Sequence, residues 1–212
     1  MTSQYTLHGF FRSGASYRVR IALNLKGVSY EQFGYKLRKN EQNSEAFLKL
    51  NPQGFVPALE SNDTVLTQSL AICEYLDEII PTPKLLPDNA IERARVRAFS
   101  QVIACDIHPI QNLKILQRLS ALGLDEDQVN AWAATTINEG LDACEALIKR
   151  QSGPFCFGED VTLADVCLIP QLVNARRFGA SMKWERLMEI EAKCLTLDAF
   201  KRAMPENQPD AV

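Results

Sequence analysis

The sequence predicts an α/β unit over residues 1–85 followed by an all-α unit over residues 90–212. Three observations lead to this prediction. In the first part of the chain, short apolar runs typical of strands alternate with helical patterns. The proline-rich segment Pro81–Asp88 then marks a boundary. Beyond it the apolar residues recur with helical spacing, and 212 residues are enough for two small cores.

The first unit opens with a strand, a turn and a helix. The apolar run Tyr5–Leu7 leads through the turn at Phe11–Ser16 into a helical pattern that stops at Gly27, a suitable C-cap. A second strand, a short helix and a tight hairpin are expected at 29–37, 44–50 and 58–67. Ser69 follows the hairpin and is a good N-cap residue for a further helix.

The second unit is predicted from helical periodicity and capping residues. A long helix over 90–119 should be kinked near Cys105, because Pro109 removes a helical hydrogen bond. Thr162–Asp165 has the spacing of a capping box, so Asp165 is interpreted as structural. The remaining helices are expected at 125–150, 163–178, 184–194 and 198–204.

Two points in the first unit favour a bound anion. At Phe11–Ser16 and again at Gln68–Ser69 a helix starts after a strand, so that backbone N–H groups and the positive end of a helix dipole converge. A phosphate or a thiolate would suit the first point, although no G-x-x-x-x-G-K-[ST] or G-x-G-x-x-G spacing is present. Two such points indicate a ligand with two separated acceptor groups.

The loop Asn51–Leu59 is the third candidate feature, because Val56-Pro57 in it is followed at once by a strand. A cis bond at Pro57 would turn the preceding backbone N–H and C=O outward, toward a peptide-like ligand. An ordinary trans proline that closes the loop is the alternative interpretation.

Composition argues against several classes of function. A formal net charge of −3 is not typical of a protein that binds nucleic acid or a membrane surface. No apolar run approaches the roughly 20 residues that span a bilayer, and the N-terminus lacks a signal-peptide pattern. The six cysteines are scattered without a C-x-x-C pair, which predicts reduced thiols and neither a disulfide framework nor a metal site. A cytoplasmic location is expected.

The order of these elements resembles the cytosolic glutathione transferase superfamily over essentially the whole chain. The motifs that carry this resemblance are Val56-Pro57, Gln68-Ser69 and Thr162–Asp165. The stretches Phe11–Leu23 and Asn51–Leu59 are similar to the zeta class, the maleylacetoacetate isomerases.

Two segments of the second unit resemble the bacterial members of this class in particular. They are Asp106–Pro109, with Asn112 close behind, and Ala175–Phe178. These bacterial relatives include glutathione-dependent maleylpyruvate isomerases, which share the Arg-Ser-Gly opening.

The resemblance implies a thioredoxin-like glutathione-binding domain over 1–85 and a helical substrate-binding domain over 90–212, in a homodimer. Ser13, with Ser16 as a second candidate, would donate a hydrogen bond to the glutathione thiolate. The residues implied to bind the rest of this cofactor are Gln53, Val56, Pro57, Gln68, Ser69 and His108.

The implied reaction is the cis–trans isomerisation of maleylacetoacetate to fumarylacetoacetate, a step in the breakdown of tyrosine and phenylalanine. The substrate is a small dianion, and the planar guanidinium groups of Arg12 and Arg177 suit its carboxylates. A structural ion pair is the alternative role for Arg12. A capping or core role is the alternative for His108.

One departure from the zeta-class pattern concerns the turn itself. The class motif reads Ser-Ser-Cys where this chain has Ser13-Gly14-Ala15, so one possible donor to the glutathione sulfur is missing. Ala15 gives weight to a non-catalytic regulatory protein as an alternative. A maleylpyruvate isomerase and a conjugating transferase are two further alternatives, which keep the fold and the cofactor and change the substrate. Leu113 favours maleylacetoacetate over maleylpyruvate, because the maleylpyruvate isomerase pattern carries a basic residue there.

Overall fold

The computed structural model describes residues 4–62 and 64–211, and the chain divides into two compact units. One unit holds the chain up to Leu85 together with the segment from Leu195 onward, and the other is Leu86–Cys194. The predicted division differs at the C-terminus, since it places all of residues 90–212 in the helical unit. The terminal segment joins the first unit because Phe200 and Ala203 bury apolar side chains there.

The first unit is built on a four-stranded sheet. Its strands are β1 (Tyr5–Gly9), β2 (Glu31–Gly34), β3 (Ala58–Ser61) and β4 (Thr64–Thr67), in the order β2-β1-β3-β4. The pair β1–β2 is parallel, and the pairs β1–β3 and β3–β4 are antiparallel. The helices of this unit are α1 (Gly14–Leu25), α2 (Glu45–Leu50), α3 (Ser69–Ile79) and α9 (Asp198–Ala203), of which α9 packs on α1.

The register of this sheet gathers three chain segments at one edge. Ala58, the first residue of β3, pairs with His8 near the end of β1 and with Thr67 at the end of β4. The turn after β1, the loop before β3 and the start of α3 therefore lie side by side. These are the three segments that the sequence singled out.

Two details of the first unit differ from the prediction. The second strand covers only Glu31–Gly34, because it is an edge strand whose four residues pair with β1 alone. Ser69 is the first helical residue of α3 rather than its N-cap, and Gln68 takes the cap position. Asp63, in the predicted hairpin, lies outside the described residues.

The second unit is helical in its described residues, as predicted. Its helices are α4 (Ala90–Gln101), α5 (Leu113–Ala121), α6 (Glu126–Ile148), α7 (Leu163–Arg177) and α8 (Glu185–Cys194). Helix α7 is buried along most of its length, and α4, α6 and α8 pack around it.

The predicted interruption of the first long helix is confirmed. A π-helical turn covers Val102–Ile107, and α5 begins only after the turn that contains Pro109. Glycine on the facing helix allows close packing here, since a Cβ at Gly140 would lie 2.2 Å from Ile107 Cγ1.

The cysteines are free thiols, of which five are buried and Cys105 is exposed. Burial raises the pKa of the Cys144 thiol to about 12. Within the described ranges, no helix is both long enough and apolar enough to cross a bilayer.

Candidate functional site

Ser13 is the N-cap residue of α1. Its backbone is extended, with φ −70° and ψ 117°, and its Oγ accepts a hydrogen bond from the Ser16 N–H at 3.2 Å. Because Oγ serves the helix as an acceptor, the hydroxyl proton remains available to a ligand. The first turn of α1 contains no acidic residue, so no side chain of the helix competes for the positive end of its dipole.

The neighbours of Ser13 in the turn have different surroundings. Ser16 is fully buried, and its Oγ accepts from the Phe10 N–H at 3.4 Å. It therefore faces the interior of the unit and does not share the half-exposed position of Ser13. Ala15 is half-buried in the first turn. Arg12 is exposed, with its guanidinium 5.0 Å from the centroid of the Phe11 ring.

The start of α3 has an unusual backbone. Gln68 has φ 67° and ψ 112°, a conformation that is uncommon for a residue other than glycine and costs about 1–3 kcal/mol. Such residues cluster at ligand-binding sites. Ser69 follows it, is 7% exposed, and begins a helix whose first turn contains no acidic residue. This helix end is thus also open to an external anion.

Arg18 is a functional candidate that the sequence analysis missed. It lies on α1, is 2% exposed, and its Nη1 donates to Ser69 Oγ at 3.3 Å. Its Nε and Nη2 have no hydrogen-bond partner among the described residues. Because Arg18 occupies an acceptor position of Oγ, the Ser69 hydroxyl proton points elsewhere. A buried positive charge behind Ser69 favours a negative group in front of it.

The loop before β3 provides backbone groups rather than charged ones. The Val56–Pro57 bond is cis, which decides between the two interpretations of this proline. Among the described residues, the backbone N–H and C=O of Val56 have no hydrogen-bond partner. The Gln53 side chain is exposed and its Oε1 accepts from Gln68 Nε2 at 2.9 Å, so the loop is connected to the start of α3.

Seven of the nine predicted site residues thus lie at one edge of the first unit. They are Arg12, Ser13, Gln53, Val56, Pro57, Gln68 and Ser69. The other two belong to the second unit. His108 follows the π-helical turn and is half-buried, and its backbone N–H donates to the Ile103 C=O at 2.9 Å.

Arg177 is the last residue of α7 and is exposed, with its guanidinium 5.2 Å from the centroid of the Phe178 ring. Its neighbour Arg176 binds Glu191 with both terminal nitrogens, and the Nη1–Oε1 distance is 2.6 Å. This hydrogen bonding raises the pKa of Arg176. Of the two adjacent arginines, Arg176 is therefore committed to a structural pair.

The start of α7 is closed by the protein itself. Asp165 is fully buried and accepts from the Cys156 N–H at 2.8 Å, the Thr162 N–H at 2.8 Å and the Thr162 hydroxyl at 3.0 Å. Burial raises the pKa of this carboxyl, while the hydrogen bonds oppose the rise. The structural role predicted for Asp165 is confirmed.

Comparisons with known proteins agree with this geometry. The N-terminal domain of glutathione S-transferases matches residues 3–78, and the C-terminal domain matches residues 89–191. Maleylpyruvate isomerase from a Ralstonia species is 49% identical over 209 residues, which are 97% of this chain and 99% of the relative.

Solved structures are similar over their full length. A holo structure of maleylpyruvate isomerase, a bacterial zeta-class glutathione S-transferase, superposes with a TM-score of 0.95 at 48% identity and covers 98% of this chain and 100% of its own. Maleylacetoacetate isomerase from Methylobacterium extorquens AM1, with bound malonate and glutathione, gives 0.94 at 39% identity, with 98% and 99% covered. The chain belongs to the glutathione S-transferase family, and within it to the zeta class.

Proposed function

We propose that this chain is a glutathione-dependent isomerase that converts maleylacetoacetate into fumarylacetoacetate. The observation that carries the proposal is the open N-terminus of α1, where Ser13 caps the helix and no acidic residue occupies the first turn. A thiolate gains from such a helix end, because the dipole and the hydroxyl donor both lower a thiol pKa from about 8.5. Two relatives, which are 44% and 39% identical to this chain, are named maleylacetoacetate isomerase.

Glutathione is the cofactor, and the first unit supplies groups that fit it. The Ser69 hydroxyl, with buried Arg18 behind it, suits the γ-glutamyl carboxylate. The backbone N–H and C=O of Val56, without partners among the described residues, suit a peptide-like ligand. We assign Gln68 to the same carboxylate and Gln53 to the tripeptide backbone or its glycyl end.

When bound, glutathione supplies a thiolate that adds to the cis double bond and leaves after rotation, so that it is regenerated. The task of the chain is to keep that sulfur ionised and in place. We assign the donor to this sulfur as Ser13 Oγ–H, and the N-cap position of Ser13 on α1 supports the assignment. We infer that removal of this donor raises the thiol pKa and slows the reaction.

Binding of a dianionic substrate falls to the arginines. The exposed guanidinium of Arg12 lies next to Ser13 along the chain, and that of Arg177 is exposed at the end of α7. Arginine binds carboxylates through two parallel hydrogen bonds. The malonate bound by the relative from Methylobacterium extorquens, together with glutathione, supports a dicarboxylate as ligand of this class. We assign His108 to glutathione.

Glutathione S-transferases act on small molecules, and this chain belongs to that family. The first unit would bind glutathione and the second the substrate. A homodimer in the cytoplasm is expected from the family, and measurement of the molar mass in solution tests the dimer.

Maleylpyruvate is the second candidate substrate. The Ralstonia relative, which is 49% identical over nearly the whole chain, is named maleylpyruvate isomerase. Leu113, which is apolar, favours maleylacetoacetate instead. The two substrates share the maleyl group, so a single thiolate site serves either.

Turnover of both substrates with and without glutathione decides the function. The proposal predicts conversion of maleylacetoacetate that stops when glutathione is omitted. Conversion of maleylpyruvate alone would replace the substrate and keep the chemistry. Retention on immobilised glutathione without turnover of either compound would identify a binding protein and contradict the enzymatic function.

A further inference from the structure

The C-terminal segment of the chain reaches the turn that presents Ser13. After α9 a 3₁₀ turn at Pro205–Asn207 brings Asp210 against Phe11. The Phe11 N–H donates to Asp210 Oδ2 at 2.9 Å, although the two residues are 199 positions apart. The other oxygen, Oδ1, accepts from Gln32 Nε2 at 2.9 Å. Both carboxylate oxygens are therefore bound within the first unit.

The backbone carbonyl of Phe11 accepts a hydrogen bond from a buried arginine. Arg20 is fully buried, and its Nη2 donates to the Phe11 C=O at 3.0 Å while its Nε donates to the Ala203 C=O at 3.0 Å. Burial lowers the pKa of Arg20 to about 10, with Asp210 among the groups that oppose the change. The guanidinium stays protonated at neutral pH and bonds the turn to the end of α9.

Two features of the sequence make room for this arrangement. Gly34 faces Asp210 so closely that a Cβ there would lie 2.7 Å from Asp210 Cβ. Gln208 is buried and its Nε2 donates to the carbonyls of Arg202 and Met204 at 2.8 and 2.7 Å, which fixes the course of the segment before Asp210. Gly34 thus leaves space for Asp210, and Gln208 fixes the backbone that leads to it.

We propose that Asp210 and Arg20 are positioning residues for the thiolate site, because they hold the N–H and the C=O of Phe11 and thereby fix Ser13. The inference rests on the proposed function, in which Ser13 donates to the glutathione sulfur. Ser13 lies two residues beyond Phe11, and its N–H donates to the Phe10 C=O at 2.9 Å, so movement of one is passed to the other. A misplacement of about 1 Å in such a site can lower a rate by about 10²-fold.

Three variants and a control test the contact. Asp210→Ala removes the acceptor, Asp210→Asn retains an oxygen for the Phe11 N–H, and Gly34→Ala displaces the segment without changing Asp210. Asn207→Ala is the matched control, since among the described residues the Asn207 side chain hydrogen-bonds only to the Lys201 carbonyl, away from Phe11 and Asp210. The first readout is hydrogen exchange of the Phe11 amide in the protein without ligand. The second is the pKa of the bound glutathione thiol.

We expect Asp210→Ala and Gly34→Ala each to speed Phe11 exchange by about 10-fold or more, the scale of a hydrogen bond to a charged acceptor. Both should raise the bound thiol pKa and lower kcat by about 10-fold. Asp210→Asn should restore most of both values. The double variant Asp210→Ala/Gly34→Ala should show the same thiol pKa and kcat as either single variant, since both substitutions remove the same contact.

The outcomes separate this inference from the proposed function. If the native protein binds glutathione and turns over substrate while Asp210→Ala leaves the thiol pKa and kcat unchanged, the positioning role is wrong and the function stands. If Phe11 exchange is also unchanged, the contact itself is wrong. If the native protein binds no glutathione, the proposed function fails, and the positioning role fails with it.

Discussion

The N-termini of α1 and α7 have the same kind of backbone N–H donors, but the protein uses the two helix ends differently. At α7 the chain supplies its own anion, because the Asp165 carboxylate is fully buried and accepts three hydrogen bonds from Cys156 and Thr162. At α1 the cap is the neutral hydroxyl of Ser13, half-exposed, with no acidic residue in the first turn. The first arrangement closes a helix end for stability. The second leaves it open for a ligand.

The comparison shows why a helix N-terminus alone does not identify a site. The dipole and the unpaired N–H groups are common to all helices. What differs is whether the sequence places an acid within the first turn. The start of α3 resembles that of α1, since its first turn also contains no acidic residue. It is preceded by Gln68, whose φ is positive.

The largest expected effect is on the closed end. Asp165→Ala should lower the free energy of unfolding by about 3 kcal/mol, because three buried donors lose their acceptor at once. Denaturant unfolding measures it. Asp160→Ala, in the same loop but exposed, should stay within about 0.5 kcal/mol of the native protein. A loss for Asp165→Ala as small as that of this control would contradict the assignment of a structural role.

The next effect concerns the open end at α3. Ser69→Ala should raise the dissociation constant of glutathione about 10-fold, since a hydroxyl donor to a carboxylate is lost. Titration calorimetry gives the value. Exposed Ser120 on α5 provides the matched control, and Ser120→Ala should bind as the native protein does. Unchanged affinity in Ser69→Ala would remove this helix end from the site.

The smallest expected effect is on glutathione affinity, when an acidic side chain is placed in the first turn of α1 as Asp165 is in α7. Ala15→Asp places a carboxylate in the first turn of α1, which should stabilise the helix end by about 0.3–1 kcal/mol and compete with the thiolate. The expected result is a glutathione affinity about 5-fold weaker with no loss of thermal stability. Ala15→Asn has the same size without the charge and should retain the affinity. Equal binding by the two variants would show that the charge at this end does not matter.

The local part of this picture was predictable from the sequence. The capping box at Thr162–Asp165, the helix start after the turn at Phe11–Ser16 and the break near Pro109 each depend on residues a few positions apart. The Arg18–Ser69 contact joins residues 51 positions apart and the Phe11–Asp210 contact residues 199 apart, so periodicity and motifs gave no sign of either. For the same reason the sequence predicts the terminal segment to be part of the helical unit, although its buried side chains pack in the first unit.

The pKa of the glutathione thiol bound to the native protein and to Ser13→Ala tests the central claim most directly. It can be followed from the ultraviolet absorbance of the thiolate during a pH titration of each complex. The open end of α1 predicts a bound pKa well below the free value of about 8.5, raised in Ser13→Ala together with a rate loss of about 10²-fold. A native complex in which the thiol keeps its free pKa would contradict the claim that α1 and Ser13 hold a thiolate.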